Sequence, residues 1–338
     1  MHITEWSATT PFPQSSYSYQ TGRFVSLKKL CSIAIATLNL LAVDASVIQP
    51  DVSRQLTSQL VMNDNTQAIL AVPFPLIFKN TPPGKAIKPG TELRILPVGD
   101  SITYGFLSDL EGGDGNGYRL RLREDLSNDI VVFAGNVTSS VGNMTDGYFA
   151  AWNGKTIQYI ENNVGPSLEQ RPNIILLHAG TNDMNPDSSI STEGNDPVAA
   201  SLRLGSLIDK MVESCPDAVI LVAMIIGTCR AEQAPQTEMF QSLVPGVVMS
   251  RFQAGNHVLA VDFSTFALSN LRDCIHPTNQ GYQLLGDYWY DFITQIPQGW
   301  ITEPVGNDPK RQGSLAMHLG TNMPLLVLLG LLFVLMYM

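Results

Sequence analysis

The chain has little cysteine, little positive charge and few charged side chains of either sign. Its four cysteines in 338 residues form no Cys-x-x-Cys pair and no Cys/His cluster at zinc-ligand spacing, which excludes a finger-type structural metal. Twenty Lys+Arg stand against thirty Asp+Glu, for a formal charge of −10 and a sequence pI near 4.9. That balance excludes nucleic acid as a partner, because such binding rests on basic surface. The glycine-rich run Glu111–Gly117 lacks the Gly-Lys-Ser/Thr ending of a phosphate loop and the ligand spacing of an EF-hand, so it reads as a loop beside a cleft. Only 15% of residues are charged and the mean hydropathy is +0.07, values that point to very apolar segments somewhere in the chain.

Those segments lie at the ends. Leu30–Val43 is an apolar run behind Lys28 and Lys29, with small residues at Ala42 and Ala45. Basic flank, short apolar core and small-residue exit are the anatomy of a secretory signal peptide; a buried helix or an uncleaved signal anchor is the alternative. Residues 1–46 are therefore read as an N-terminal extension and signal peptide, and 47–90 as a linker or pro-like extension. At the other end Met323–Met338 is apolar throughout, and Gly313-Ser314-Leu315-Ala316 precedes it across a spacer. Small residues, spacer and apolar tail describe a glycosylphosphatidylinositol (GPI) signal, with a tail anchor as the competing reading. Residues 299–338 are assigned to this linker and hydrophobic signal. Two sequons, at Asn136 and Asn143, agree with export. The expected location is secreted or on the cell surface, with membrane contact only through the C-terminal segment.

The body of the chain, residues 91–298, is regular. Short continuous apolar runs at Arg94–Val98, Ile130–Ala134, Ile174–His178, Ala218–Ile226 and His257–Val261 alternate with helix-length amphipathic stretches such as Pro197–Glu213, Gln236–Gln253 and Asn279–Gln295. Strand and helix in alternation predict βαβ units around a parallel sheet buried on both faces. The region reads as one α/β domain, expected to act as a monomer. In such sheets ligands bind beyond the carboxyl ends of the strands. The residues that follow the runs are Gly99-Asp100-Ser101, Trp152-Asn153-Gly154, Gly180-Thr181-Asn182-Asp183, Gly227-Thr228-Cys229-Arg230 and Asp273-Cys274-Ile275-His276.

That set can perform acyl transfer. A serine hydroxyl is a weak nucleophile without an adjacent base; His276 is the candidate base, and Asp273 can orient its ring. The Ser101 N–H, Gly154 N–H and Asn182 amide are the candidate donors for an oxyanion. Each motif alone has a structural explanation: Gly-Asp-Ser is a common turn, and Gly-Thr-Asn-Asp can cap a helix. Their joint placement at strand ends favours catalysis. Cys215 precedes the fourth strand and Cys229 follows it, about 30 Å away along nine residues, beyond disulfide reach. Cys229 and Cys274 share the other rim and are expected to pair, leaving Cys215 a buried thiol. His178 reads as a buried hydrogen-bonded residue and Lys155 as a solvated one.

Gly99-Asp100-Ser101, Gly154, Gly180-Thr181-Asn182-Asp183 and Asp273-Cys274-Ile275-His276 resemble the four blocks of the SGNH-hydrolase, or GDSL-like esterase, superfamily. Gly99–Gly105 and His276–Tyr282 are similar to carbohydrate esterase family 3 within it, and Cys215-Pro216-Asp217-Ala218 also looks familial. The resemblance covers about Leu93 to Ile296. It implies a three-layer α/β/α sandwich with a central parallel, flavodoxin-like five-stranded sheet. It implies a serine esterase that removes acyl groups, acetyl in particular, from polysaccharide through an acyl-enzyme, with Ser101, His276 and Asp273 catalytic. Asp100 and Asp183 are supporting residues, and no cofactor or metal is expected. Relatives carry a polar or acidic pair before the second-block glycine, whereas Phe149-Ala150-Ala151 stands here. This predicts a more apolar cleft wall and keeps open an esterase or lipase acting on lipid or small esters. A non-catalytic carbohydrate-binding surface protein is the remaining alternative.

Overall fold

A computed structural model of the chain describes residues 74–306. The signal-peptide, GPI-type and tail-anchor readings fall outside the described residues. Among the described residues no helix is long and apolar enough to cross a membrane.

The sheet is built from parallel strands β1 (Glu92–Gly99), β2 (Ile130–Phe133), β3 (Ala150–Ala151), β4 (Ile174–His178), β5 (Val219–Met224) and β6 (Val258–Asp262). Five of them run in the order β2-β1-β4-β5-β6, and the two-residue β3 pairs with β1 beyond β2. This is the flavodoxin-like order with one short strand added. Pro97 stands in the middle of β1, where a missing N–H is ordinarily excluded. Its tolerance has a geometric reason. Glu92–Ile95 pair with β2 and Val98–Gly99 with β3. Ile95 and Gly99 both turn their carbonyls to that side, toward the N–H groups of Ala134 and Trp152. Pro97, two residues from each, faces the gap between the two partners and leaves no ladder bond unmade.

Alternation along each strand divides the core in two. Leu93, Ile95, Ile174, Leu176, Val219, Leu221, Leu259 and Val261 join one cluster; Leu96, Val98, Ile175, Leu177, Ile220, Val222, Val258 and Ala260 join the other. The first is covered by α1 (Ser101–Tyr104), α2 (Arg119–Asp125) and α7 (Asn279–Ile293), through Ile102, Leu122 and Trp289. The second is covered by α3 (Ile157–Asn163), α4 (Gly165–Leu168), α5 (Pro197–Ser214) and α6 (Ala234–Gln253), through Ile160, Leu168, Leu207 and Val244. Apolar surface on both faces of β1, β4, β5 and β6 is what requires two helical layers.

The packed domain reaches beyond 91–298 at both ends. Leu76 is fully buried, donates its N–H to Ala260 O and accepts from Asp262 N–H, extending the sheet past β6. Asp291, buried in α7, accepts from the backbone N–H groups of Lys79 and Thr81. After α7, Trp300 stacks on His257 and Ile301 enters the core. The stretch from 74 to 90, read from sequence as linker, is held here by polar partners some two hundred residues away, which local periodicity does not register.

Candidate active site

The carboxyl ends of the strands converge on one rim. β1 ends at Gly99, and Asp100 caps α1 by accepting from Ile102 N–H at 3.0 Å. Ser101 is therefore the first helical residue, with its Oγ at the rim and its N–H free of the intrahelical ladder. Gly99 has no alternative here: a Cβ would drive into the His178 carbonyl oxygen and the Thr103 side chain.

Ser101 Oγ lies 2.8 Å from His276 Nε2, and His276 Nδ1 lies 2.8 Å from Asp273 Oδ2. The other Asp273 oxygen accepts from the backbone N–H groups of His276 at 2.7 Å and Ile275 at 3.1 Å. Burial alone would raise the Asp273 carboxyl, but these hydrogen bonds and the His276 ring outweigh it and hold the group below its ordinary value of 3.8. An ionised Asp273 fixes the tautomer with the proton on Nδ1, leaving Nε2 as an acceptor for the serine hydroxyl. The turn itself is anchored on both sides. Arg272 N–H donates to His276 O, Thr278 N–H donates to Asn270 O, and Thr278 caps α7 through Gly281 N–H. The Phe106 ring stands edge-on to the imidazole at 4.9 Å.

Gly154 adopts φ +69°, a region that L residues enter at a cost, and a Cβ there would meet nothing within 4 Å. Neither the Ser101 nor the Gly154 N–H has a protein acceptor among the described residues. Asn182 Nδ2 donates to Lys155 O at 3.0 Å, which leaves one amide hydrogen to turn toward the rim. Asp183, fully buried, accepts from Ile157 N–H at 2.9 Å and pairs with Arg203 at 2.9 Å, so it ties the start of α3 behind Gly154 to α5. Burial raises its carboxyl despite these partners. Asp100 is likewise pushed up, to about 7, chiefly by burial and against its hydrogen bond from Ile102.

Ser101, Gly154, Asn182 and His276 line one cavity of about 340 Å³, with Phe106, Ile190 and Ile275 as its apolar walls. The walls differ from those the sequence suggested. Phe149 is fully buried between Tyr104 and the Arg119 guanidinium, Ala150 and Ala151 form β3, and Trp152 packs edge-on to Tyr159. Strand pairing with β1 carries that segment under the rim, so its apolar character serves the core. Arg119 is a residue that sequence reasoning passed over: fully buried, it donates to the carbonyls of Thr103 and Tyr104 at the end of α1.

Cys229 and Cys274 form a disulfide, and Cys215 is a buried free thiol. His178 accepts from Ile226 N–H, and burial lowers its ring to about 4, so it is neutral at ordinary pH. The Lys155 ammonium lies over the Tyr159 ring. Asn136 and Asn143 are both exposed. Among the described residues no group of three or more His, Cys, Asp or Glu is placed to hold a metal ion.

The GDSL-like Lipase/Acylhydrolase family model matches residues 98–284, more than half of the chain. The chain belongs to that family. A curated relative, the multidomain esterase of Ruminococcus flavefaciens, is 26% identical over 244 residues, covering 60% of this chain and 28% of that protein. The chain thus spans less than a third of that relative's length. A family 3 carbohydrate esterase structure from Talaromyces cellulolyticus is similar at TM-score 0.50 with 19% identity, over 60% of this chain and 97% of that one. A family 3 carbohydrate esterase from Clostridium thermocellum shows 23% identity and TM-score 0.49, again over 60% and 97%. The Talaromyces likeness bears on the fold, which is that of the SGNH hydrolases.

Proposed function

We propose that this GDSL-family esterase removes short acyl groups, acetyl foremost, from carbohydrate. The observation that carries the reading is the Ser101–His276–Asp273 chain, with both links at 2.8 Å, opening into a single cavity. Ser101 Oγ attacks the ester carbonyl as His276 Nε2 takes its proton, and the Ser101 and Gly154 N–H groups with the Asn182 amide hold the oxyanion. The tetrahedral intermediate expels the sugar hydroxyl, protonated by His276. Water, activated by the same imidazole, then releases the acid from Ser101. Asp273 holds the ring and stabilises the imidazolium.

The carbohydrate assignment rests on the motif likeness to family 3 and on the cavity lining. Asn153, Asn182, Asn185 and Gln233 bring amide groups to the cavity, and amides suit sugar hydroxyls as both donor and acceptor. A volume near 340 Å³ is at the small end for ligand sites and favours a short acyl chain. The apolar walls favour lipid or small esters as a second reading. Initial rates on acetylated xylan and on a long-chain lipid ester at matched enzyme concentration decide between them. Faster release of acetate supports the proposal; faster release of fatty acid overturns it.

Export is part of the same proposal. It is supported by the apolar N-terminal run, the two exposed sequon asparagines and the Cys229–Cys274 bond, since disulfides persist in oxidising compartments.

A further inference from the structure

Arg230 is an unusual arginine in this molecule. Eight other arginines lie among the described residues, and each has a side-chain partner: carboxylates for Arg121, Arg123, Arg171, Arg203, Arg251 and Arg272, an acid and carbonyls for Arg94, and carbonyls for Arg119. The Arg230 guanidinium makes no hydrogen bond or ion pair among the described residues. It lines the same cavity as Ser101 and His276, and no acidic side chain shares that lining. In a chain of net charge −10, an uncompensated cation beside the nucleophile stands out.

The backbone beneath it is fixed. Arg230 N–H donates to the Thr228 hydroxyl, whose own proton goes to Cys274 O. Cys229 beside it is bonded to Cys274. The Arg230 carbonyl accepts from the N–H groups of Gln233 and Ala234 at the start of α6. The guanidinium is therefore carried on a braced turn that also bears the turn of Asp273 and His276. Next to it, Gln233 is 1% exposed, its Oε1 has no partner, and it lines the cavity. A buried polar atom left open in a cavity wall points to a polar ligand.

The geometry points to Arg230 as a specificity residue that selects esters carrying a carboxylate near the scissile bond. In the carbohydrate reading on which this rests, the substrate is the O-acylated ester of an acidic sugar. A guanidinium presents a planar pair of donors that match a carboxylate, and neutral sugar esters would forgo that contact.

The test uses two substrate pairs: O-acetylated polygalacturonate against O-acetylated neutral xylan, and mono-4-nitrophenyl succinate against 4-nitrophenyl acetate. Wild type, Arg230→Gln and Arg230→Lys are compared by the acidic-to-neutral ratio of kcat/KM, so that partial loss of folded enzyme cancels. Wild type is expected to favour the acidic member, and Arg230→Gln to lower the ratio about tenfold to a hundredfold, chiefly through KM, as loss of a charge-assisted hydrogen bond implies. Arg230→Lys keeps part of the preference, and salt weakens it. A change confined to the polysaccharide pair places the carboxylate on the alcohol; one confined to the nitrophenyl pair places it on the acyl group. Ratios unchanged in Arg230→Gln overturn the inference. If wild type hydrolyses the nitrophenyl esters and neither polysaccharide, the carbohydrate reading fails, and the nitrophenyl ratio still decides the role of Arg230. Absence of turnover on all four overturns the esterase mechanism and this inference with it.

Discussion

Removing the disulfide should damage stability and activity by separable routes. The Cys229–Cys274 bond closes a 45-residue loop that contains α6 and β6. Chain-entropy arguments give about 4 kcal/mol for a loop of that length, and typical measured values are ~2–4 kcal/mol. Cys229→Ala with Cys274→Ala should therefore lose about 2–4 kcal/mol in urea unfolding. Activity depends on a second feature. Cys274 sits at φ +69°, between Asp273 and His276. A non-glycine residue pays ~1–2 kcal/mol there, and without the bond the turn can relax to negative φ. A gain of ~1 kcal/mol on relaxing leaves about one molecule in six in the active conformation, and kcat/KM should fall at least fivefold. Cys274→Gly in place of Cys274→Ala removes that driving force, so Cys229→Ala/Cys274→Gly should lose the same stability while recovering most of the activity. The Thr228–Cys274 hydrogen bond remains in both variants and does not distinguish them. A double alanine variant with less than 1 kcal/mol of destabilisation and unchanged kcat/KM would refute the reasoning.

Two further outcomes are expected. Gly99→Ala should fail to accumulate as folded protein, or unfold at least ~3 kcal/mol more easily, because its methyl meets the His178 backbone carbonyl and the fully buried Thr103 side chain, neither free to move aside; wild-type stability in urea would contradict the packing described. Asp100 holds its proton more tightly folded than unfolded, with a folded value of about 7 against 3.8. Its contribution favours folding below pH 4 and is lost as pH rises toward 7. Asp100→Asn keeps the oxygen that caps α1 and should gain stability relative to wild type across that window; parallel melting curves from pH 4 to 7 would count against it. Asp273, with a lowered value, acts in the opposite sense and costs stability only as pH falls below 3.8.

Much of the strand and helix pattern is legible in the sequence, because the strands are short continuous apolar runs and the helices are long and amphipathic. The rim follows largely from chain order, since Gly99-Asp100-Ser101 and Gly180–Asp183 stand directly after runs, while Gly154 and Asp273–His276 follow theirs across loops. Other features depend on partners distant in sequence. Phe149 reads locally as a cleft wall, but pairing of Ala150–Ala151 with β1 and the Arg119 guanidinium above its ring make it core. Pro97 inside β1 becomes intelligible only when β2 and β3 are seen to share one edge with a gap between them. The packing of Lys79 and Thr81 on Asp291 spans more than two hundred residues. Arg230 has no sequence signal of its own; what distinguishes it is the absence of an acid beside it in the folded cavity.

The esterase mechanism turns on one oxygen. Ser101→Ala, purified and shown by circular dichroism and melting to keep the wild-type fold, should lose ester hydrolysis by at least about a thousandfold in kcat, as removal of a serine nucleophile does in other hydrolases. Turnover of 4-nitrophenyl acetate by that variant within tenfold of wild type would contradict the assignment of Ser101 as the nucleophile.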